Sequence, residues 1–124
     1  MDEATRKRHL VRDINALSGA YARRLEDKWL VGLLDLVFKL PGEPWMWAEG
    51  KIIDGLQFEP TERQWVEGNR IKATGTLVLL LGWKKADFFI SPWVRKAHVD
   101  NCYRGIGPNL RTLQKYLKDI HESR

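Results

Sequence analysis

Cysteine is nearly missing from this sequence: Cys102 stands alone. A single cysteine excludes an internal disulfide framework and a cysteine-ligated zinc site. Long apolar runs are missing as well. No stretch approaches the roughly 20 residues of a membrane span, and the charged N-terminus carries no signal-peptide hydrophobic segment. The expectation is a cytoplasmic protein without a membrane partner. Histidine is scarce, and His9, His98 and His121 lie far apart without ligand spacing, so no metal is assigned to them. His98, close to Arg95-Lys96, is at most a phosphate contact. No Ser/His/Asp or Cys/His constellation suited to covalent catalysis is present. Internal repeats and low-complexity stretches are absent too.

What is present is basic charge. Lysine and arginine number 21 against 16 acidic residues, giving a net charge of +5 and a pI near 9.5. Arg6-Lys7-Arg8, Arg12, Arg23-Arg24, Lys84-Lys85, Arg95-Lys96 and Arg104 spread this excess along the whole chain. A dispersed positive surface suits a polyanion held by its backbone better than a single basic tail does. Arg23, Arg24, Lys84, Lys85, Arg95 and Lys96 are the candidate nucleic-acid contacts. With 44% hydrophobic and 30% charged residues over 124 positions, the composition is that of one globular domain, residues 1–124.

The periodicity outlines the elements. Leu10, Ile14, Leu17, Tyr21 and Leu25 recur at helical spacing, which predicts a helix over 5–25 despite Gly19. Glu26-Asp27 closes it, and Lys28 to Val31 is strand-like. The runs Gly32 to Phe38 and Trp45 to Ile53 read as strands, joined by a turn at Leu40-Pro41-Gly42-Glu43-Pro44. In the second run Trp45, Trp47, Glu49, Lys51 and Ile53 alternate with Met46, Ala48, Gly50 and Ile52. Both faces are substantially apolar, which places this strand centrally in a sheet. Pro60 or Thr61 caps a helix whose buried side is Trp65, Val66 and Ile71, ending near Thr74-Gly75. Leu77 to Leu81 and Asp87 to Ile90 are further strands, and the basic segment Ser91 to Tyr103 has weak helical character. Gly105-Ile106-Gly107-Pro108 precedes a helix and lacks a Walker pattern, so it reads as a turn. Leu110, Leu113, Leu117 and Ile120 then mark a last helix over 108–122. The order predicts an α/β or α+β fold around a small mixed sheet.

Asp35, Glu49 and Lys51 stand out within these strands. Residues two apart on a strand share a face, so Glu49 and Lys51 project together. A hairpin between the two runs brings Asp35 beside them. Mg²⁺ takes oxygen ligands, often one or two carboxylates with water and phosphate. Asp35 and Glu49 supply such ligands, and the Gly50 carbonyl is a third candidate. Lys51 beside them could orient a water or stabilise transition-state charge. On spacing alone the same residues also fit a chance pattern, because an exposed Glu–Lys pair on a strand is ordinarily solvated or weakly paired. Context favours the chemistry: the charges interrupt apolar runs in which an unpaired carboxylate is costly. The six tryptophans, Trp29, Trp45, Trp47, Trp65, Trp83 and Trp93, could stack on bases, and Trp45 and Trp47 share the face of Glu49, where one could wedge against substrate; most read as core.

Gly32-Leu33-Leu34-Asp35-Leu36-Val37, Trp47-Ala48-Glu49-Gly50-Lys51 and Thr61-Glu62-Arg63-Gln64-Trp65 together resemble the PD-(D/E)XK nuclease superfamily. More narrowly the chain is similar to small stand-alone VRR-NUC nucleases of phages and bacteria and to Holliday junction resolvases of the same fold. In that pattern a Gly-x-Pro-Asp strand precedes a Glu-x-Lys strand, and Ser/Thr-x-x-Gln opens the next helix. The resemblance covers about residues 20–90 and implies a restriction-endonuclease-like core, a mixed central sheet flanked by helices. It implies Mg²⁺ or Mn²⁺ ligated by Asp35 and Glu49, and Lys51 as the catalytic lysine. It also implies Gln64 as the motif glutamine near the site and Glu26 as the acid supplied from the first helix. Read by themselves, Glu26 is equally a solvated helix-end acid and Gln64 a surface or capping residue. Two positions depart from the pattern. Leu34 replaces the motif proline, which makes no ligand. Gly50 replaces an apolar residue and could loosen the strand beside the metal.

The expected function is metal-dependent DNA endonuclease, structure-selective in the manner of a junction resolvase, acting in a bacterial or phage-infected cell. Symmetric cutting of two strands implies a C2 homodimer, with the terminal helices as candidate interfaces. A flap, nicking or single-strand nuclease using the same site, and a catalytically inactive nucleic-acid-binding protein of the same fold, are the alternatives.

Overall fold

In a computed structural model the chain is described for residues 2–25 and 34–123. Among the described residues three helices, α1 (Glu3–Asn15), α2 (Glu62–Ala73) and α3 (Asn109–Glu122), accompany eight strands. The strands are β1 (Tyr21–Arg24), β2 (Leu36–Lys39), β3 (Met46–Ile52), β4 (Gln57–Phe58), β5 (Leu77–Lys84), β6 (Asp87–Pro92), β7 (Ala97–His98) and β8 (Tyr103–Ile106). Six of them form one mixed sheet in the order β1-β2-β3-β5-β6-β8, and β4 pairs with β7 in a small separate ribbon. The β3–β5 pair is parallel; its neighbours are antiparallel. Helix α2 lies in the connection between the parallel strands, as such a crossover requires.

The alternation read in β3 explains why it is central. Met46 and Ala48 point into an apolar layer with Leu10 and Ile14 of α1, Leu79, Leu81 and Trp83 of β5, and Leu113 and Leu117 of α3. Val78, Leu80, Ile53, Phe89 and Trp93 form the opposite layer, against which Trp47, Trp65 and Ile71 pack. The molecule therefore has three layers, with α1 and α3 on one face of the sheet and α2 on the other. No helix among the described residues is long and apolar enough to cross a membrane.

The helix expected over 5–25 stops at Asn15. Gly19 adopts φ +81°, the left-handed region that glycine enters freely, and the chain reverses there. Tyr21 to Arg24 then run as an edge strand beside β2. Asn15 fixes the change of direction: its side-chain amide donates to the Ala22 carbonyl at 3.0 Å, and its oxygen accepts from the Ala22 amide at 2.8 Å. A side chain thus serves as the ladder partner on the open edge of β1. The apolar spacing of Leu17, Tyr21 and Leu25 fits a helix only by coincidence.

Helix α2 begins as anticipated. Thr61 is its N-cap and forms a capping box with Gln64, whose side chain accepts from the Thr61 amide at 2.8 Å. Val66, expected on the buried side, is exposed. The buried position is Gly68, packed so closely on the Trp93 ring that a Cβ would lie 2.2 Å from it. The segment Ser91 to Tyr103 is also corrected. It holds the short strand β7 and a single 3-10 turn at Val99–Asn101. Residues 103–106 form the sheet-edge strand β8, so Gly105 belongs to a strand, where its missing side chain admits Thr112 of α3. Pro108 is the N-cap of the last helix rather than its first residue.

Candidate active site

Two turns of chain bring the acidic residues together. The turn carrying Gly42 at φ +76° joins β2 to β3 as an antiparallel hairpin with Leu36 opposite Ala48. That register sets Asp35, immediately before β2, beside Glu49. The Asp35 amide donates to Glu49 Oε2 at 3.3 Å. The first turn of α1 reaches the C-terminal end of β3, three residues beyond Glu49, where Glu3 Oε2 accepts from the Ile52 amide at 3.4 Å. One carboxylate oxygen each from Glu3, Asp35 and Glu49 lies within 4.8 Å of the others.

Lys7 lies within this group. It is only 3% exposed. Its ammonium donates to Glu3 Oε1 at 2.7 Å and to Asp35 Oδ2, and it stands 3.6 Å from Glu49 Oε1. Lys51 approaches from the other side, with Nζ 3.8 Å from Glu49 Oε1. Two ammoniums thus flank a carboxyl that is itself 2% exposed. Burial, reinforced by the nearby Asp35 charge, pushes the Glu49 carboxyl up to about 8, and the two lysines only partly offset this. Burial also opposes ionisation of Lys7, but Glu49 and Asp35 outweigh it and the ammonium is held above its usual range. Glu3 moves the other way: burial raises it, and the Lys7 hydrogen bond and charge more than reverse that.

Glycine at position 50 follows from this packing. A Cβ there would sit 2.6 Å from the Trp83 ring and 3.1 Å from Lys7 Cε. The missing side chain is the space through which the Lys7 stem passes on its way from α1 to the carboxylates. The strand is held by the close approach of Trp83 and Lys7 rather than loosened. Gly50→Ala should therefore destabilise the protein by about 1–3 kcal/mol through overpacking, read as a lowered Tm. A Tm equal to that of the original protein would show that the ring and the lysine stem relax without cost.

The donor set suits a divalent cation. Three carboxylates converge, and Asp35 Oδ1 is buried with no hydrogen-bond partner, an oxygen available to a hard cation. Gly50 is adjacent to Glu49 and paired in the ladder with Leu81. Glu26 lies outside the described residues; the acid that the first helix brings to the cluster is Glu3. Gln64 is occupied at the exposed start of α2 as a helix cap. The sequence reading missed both Glu3 and Lys7. A signal for them exists: positions 7, 10 and 14 form the buried stripe of α1, which puts a lysine on the core-facing side, and Glu3 lies one turn before it on the same face.

The basic candidates divide. Arg24 pairs in register with Leu36, next to Asp35, and Arg23 with Val37. Lys84 and Lys85 lie at the β5–β6 turn, where Lys84 Nζ donates to the Gly55 carbonyl and Arg6 donates to the Lys85 carbonyl at 2.7 Å. Arg95 is paired with Glu62 at the start of α2 and stands 5.7 Å over the Trp65 ring. Lys96 borders a shallow cavity of about 240 Å³ with His98 and Asn101. His98 Nδ1 accepts from the Asp100 amide at 3.2 Å. Trp45 is exposed and packs edge-on against Tyr21 at 5.9 Å.

No protein-family model matches this chain, and no curated protein does. Its architecture is similar to that of Archaeoglobus fulgidus Hjc, a Holliday junction resolvase from an archaeal hyperthermophile. The TM-score is 0.58 over 77% of this chain and 88% of that one, at 16% identity. A likeness at that identity is one of fold, and the fold is the restriction-endonuclease-like one that the motif resemblance implies.

Proposed function

We propose that this chain is a divalent-metal-dependent DNA endonuclease selective for branched DNA, in the manner of a junction resolvase. The observation that carries this reading is the convergence of Glu3, Asp35 and Glu49 beside the C-terminal half of β3, with Lys51 beside Glu49, on a restriction-endonuclease-like fold. A bound Mg²⁺ or Mn²⁺ supplies Lewis-acid activation of water and neutralises charge on the phosphate. Asp35 and Glu49 are the principal ligands, and Glu3 completes the set from α1. Lys51 holds a positive charge next to the reacting phosphate, where it orients the nucleophile and stabilises added negative charge. Arg23, Arg24, Lys84 and Lys85 grip the DNA backbone, which gives affinity without reading bases. Two copies related by a two-fold axis would place two such sites on the paired strands of a junction.

The test is cleavage of a labelled four-way junction beside duplex, flap and single-stranded controls, with Mg²⁺, Mn²⁺ or EDTA. Paired metal-dependent nicks on the junction that vanish in Lys51→Ala are the expected result. Cutting confined to flaps or single strands would replace the substrate and keep the site. Tight junction binding with no cutting under either metal would make the chain an inactive binder of this fold.

A further inference from the structure

Lys7 is the buried charge that the nuclease reading leaves without a task. Lysine is almost never fully buried unless paired, and this one is paired with the same carboxylates that are suited to ligate the metal. Its route to them depends on two features of the fold. Residue 7 occupies a core-facing position of α1, one turn before Leu10. The strand below it carries Gly50, whose absent side chain lets Lys7 Cε come within 3.1 Å of where a Cβ would be. An ammonium and a divalent cation sharing these oxygens at such short range would repel strongly.

We propose that Lys7 is an internal counter-ion that competes with the divalent cation for Asp35 and Glu49, so that metal enters only as the Lys7 ammonium withdraws. This rests on the metal-nuclease reading above and concerns how that site is loaded. The ammonium has somewhere to go. Its partner Glu3 is 40% exposed and lies one helical turn away, at the solvent side of the cluster. The flexible four-carbon stem can swing toward that solvent side, leaving Asp35 and Glu49 while Glu3 stays in place. Lys7 thereby holds three acidic side chains in a converged arrangement that their mutual repulsion would otherwise open. It also sets the metal affinity below what three uncompensated carboxylates would give.

The experiment is direct metal binding, independent of cleavage. Mn²⁺ is titrated into the full chain and into Lys7→Met, with free Mn²⁺ followed by electron paramagnetic resonance at fixed ionic strength. The expected result is about tenfold tighter binding by Lys7→Met, a size within the usual range of coupling between two charges that oppose each other's binding. Equal or weaker binding by the variant overturns the role of Lys7 and leaves the metal site standing. No Mn²⁺ uptake by either protein overturns the metal-nuclease reading and this inference with it. Lys7→Met removes charge from a buried cluster and risks misfolding, so the unaltered protein supplies a second readout. The ¹⁵N resonance of its Lys7 ammonium, assigned by its loss in Lys7→Arg, should shift or broaden as Mg²⁺ saturates the protein. An ammonium signal unchanged at saturating Mg²⁺ would show that the lysine stays in place, and would overturn the proposal.

Discussion

Glu49→Gln is expected to abolish metal-dependent cleavage while leaving the fold intact. Glutamine has the shape of the glutamate it replaces, and at neutral pH the buried Glu49 carboxyl, raised to about 8, largely carries a proton already. The amide therefore mimics the form that the fold tolerates best. What it cannot mimic is the ionised form, whose Oε1 faces both Lys7 and Lys51 and whose charge a divalent cation would need. On the proposed function, activity should fall by about 10³-fold, the scale seen when one preorganised electrostatic group is lost from an active site. The Tm at pH 7 should stay at or above that of the original protein. Single-turnover cleavage and thermal melting on the same samples check both halves. A variant that cuts within about tenfold of the original would remove Glu49 from the chemistry.

The site was partly legible in the sequence because strand geometry is local. Charges two apart in an apolar run share a face whatever the fold, and a Pro/Gly turn between two such runs makes a hairpin. Asp35, Glu49 and Lys51 follow from those two rules, and the hairpin register places Asp35 beside Glu49. The start of α2 was legible for the same reason, since a capping box closes within four residues. What escaped depended on contacts far apart in the chain. Helix α1 ends where Asn15 captures Ala22, and no periodicity distinguishes that from continued helix. Glu3 and Lys7 join the cluster across 32 and 28 residues of separation from Asp35, through packing that a single strand pattern does not encode. Gly50 looked like a weakness in the strand because its neighbours above the sheet, Trp83 and Lys7, are remote in sequence. Strand β8 was hidden in a Gly-rich stretch, its pairing with β6 set by the antiparallel register rather than by its own propensity.

On the proposed function, the proton on Glu49 makes metal uptake and stability depend on pH in opposite ways. The folded carboxyl is raised to about 8 against an ordinary 4.5, first by burial and then by Asp35. A group whose folded value is raised gives its full contribution below the unfolded value and loses it as pH rises through the folded one. With EDTA present, the Glu49 contribution to stability should therefore decline between pH 4.5 and about 8, the two values that bound the shift. One proton limits the slope to about 1.4 kcal/mol per pH unit. Glu3 does not offset this: its folded value is lowered, so its contribution changes below the window, in the acid range. Lys7 is raised, and its contribution is lost only in strong alkali, above its ordinary 10.5. A divalent ion requires the ionised carboxylate, so its binding should release a proton near pH 7 and strengthen up to about pH 8 before levelling off. The Tm difference between Mg²⁺ and EDTA should accordingly widen from pH 6 to pH 8. Glu49→Gln has no proton to lose there, and its stability in EDTA should lack this component of the slope. Melting curves for both proteins across that range, with and without Mg²⁺, measure each term. If the two proteins showed the same slope in EDTA, Glu49 would ionise freely in the fold, and the strained carboxyl at the centre of the site would not exist.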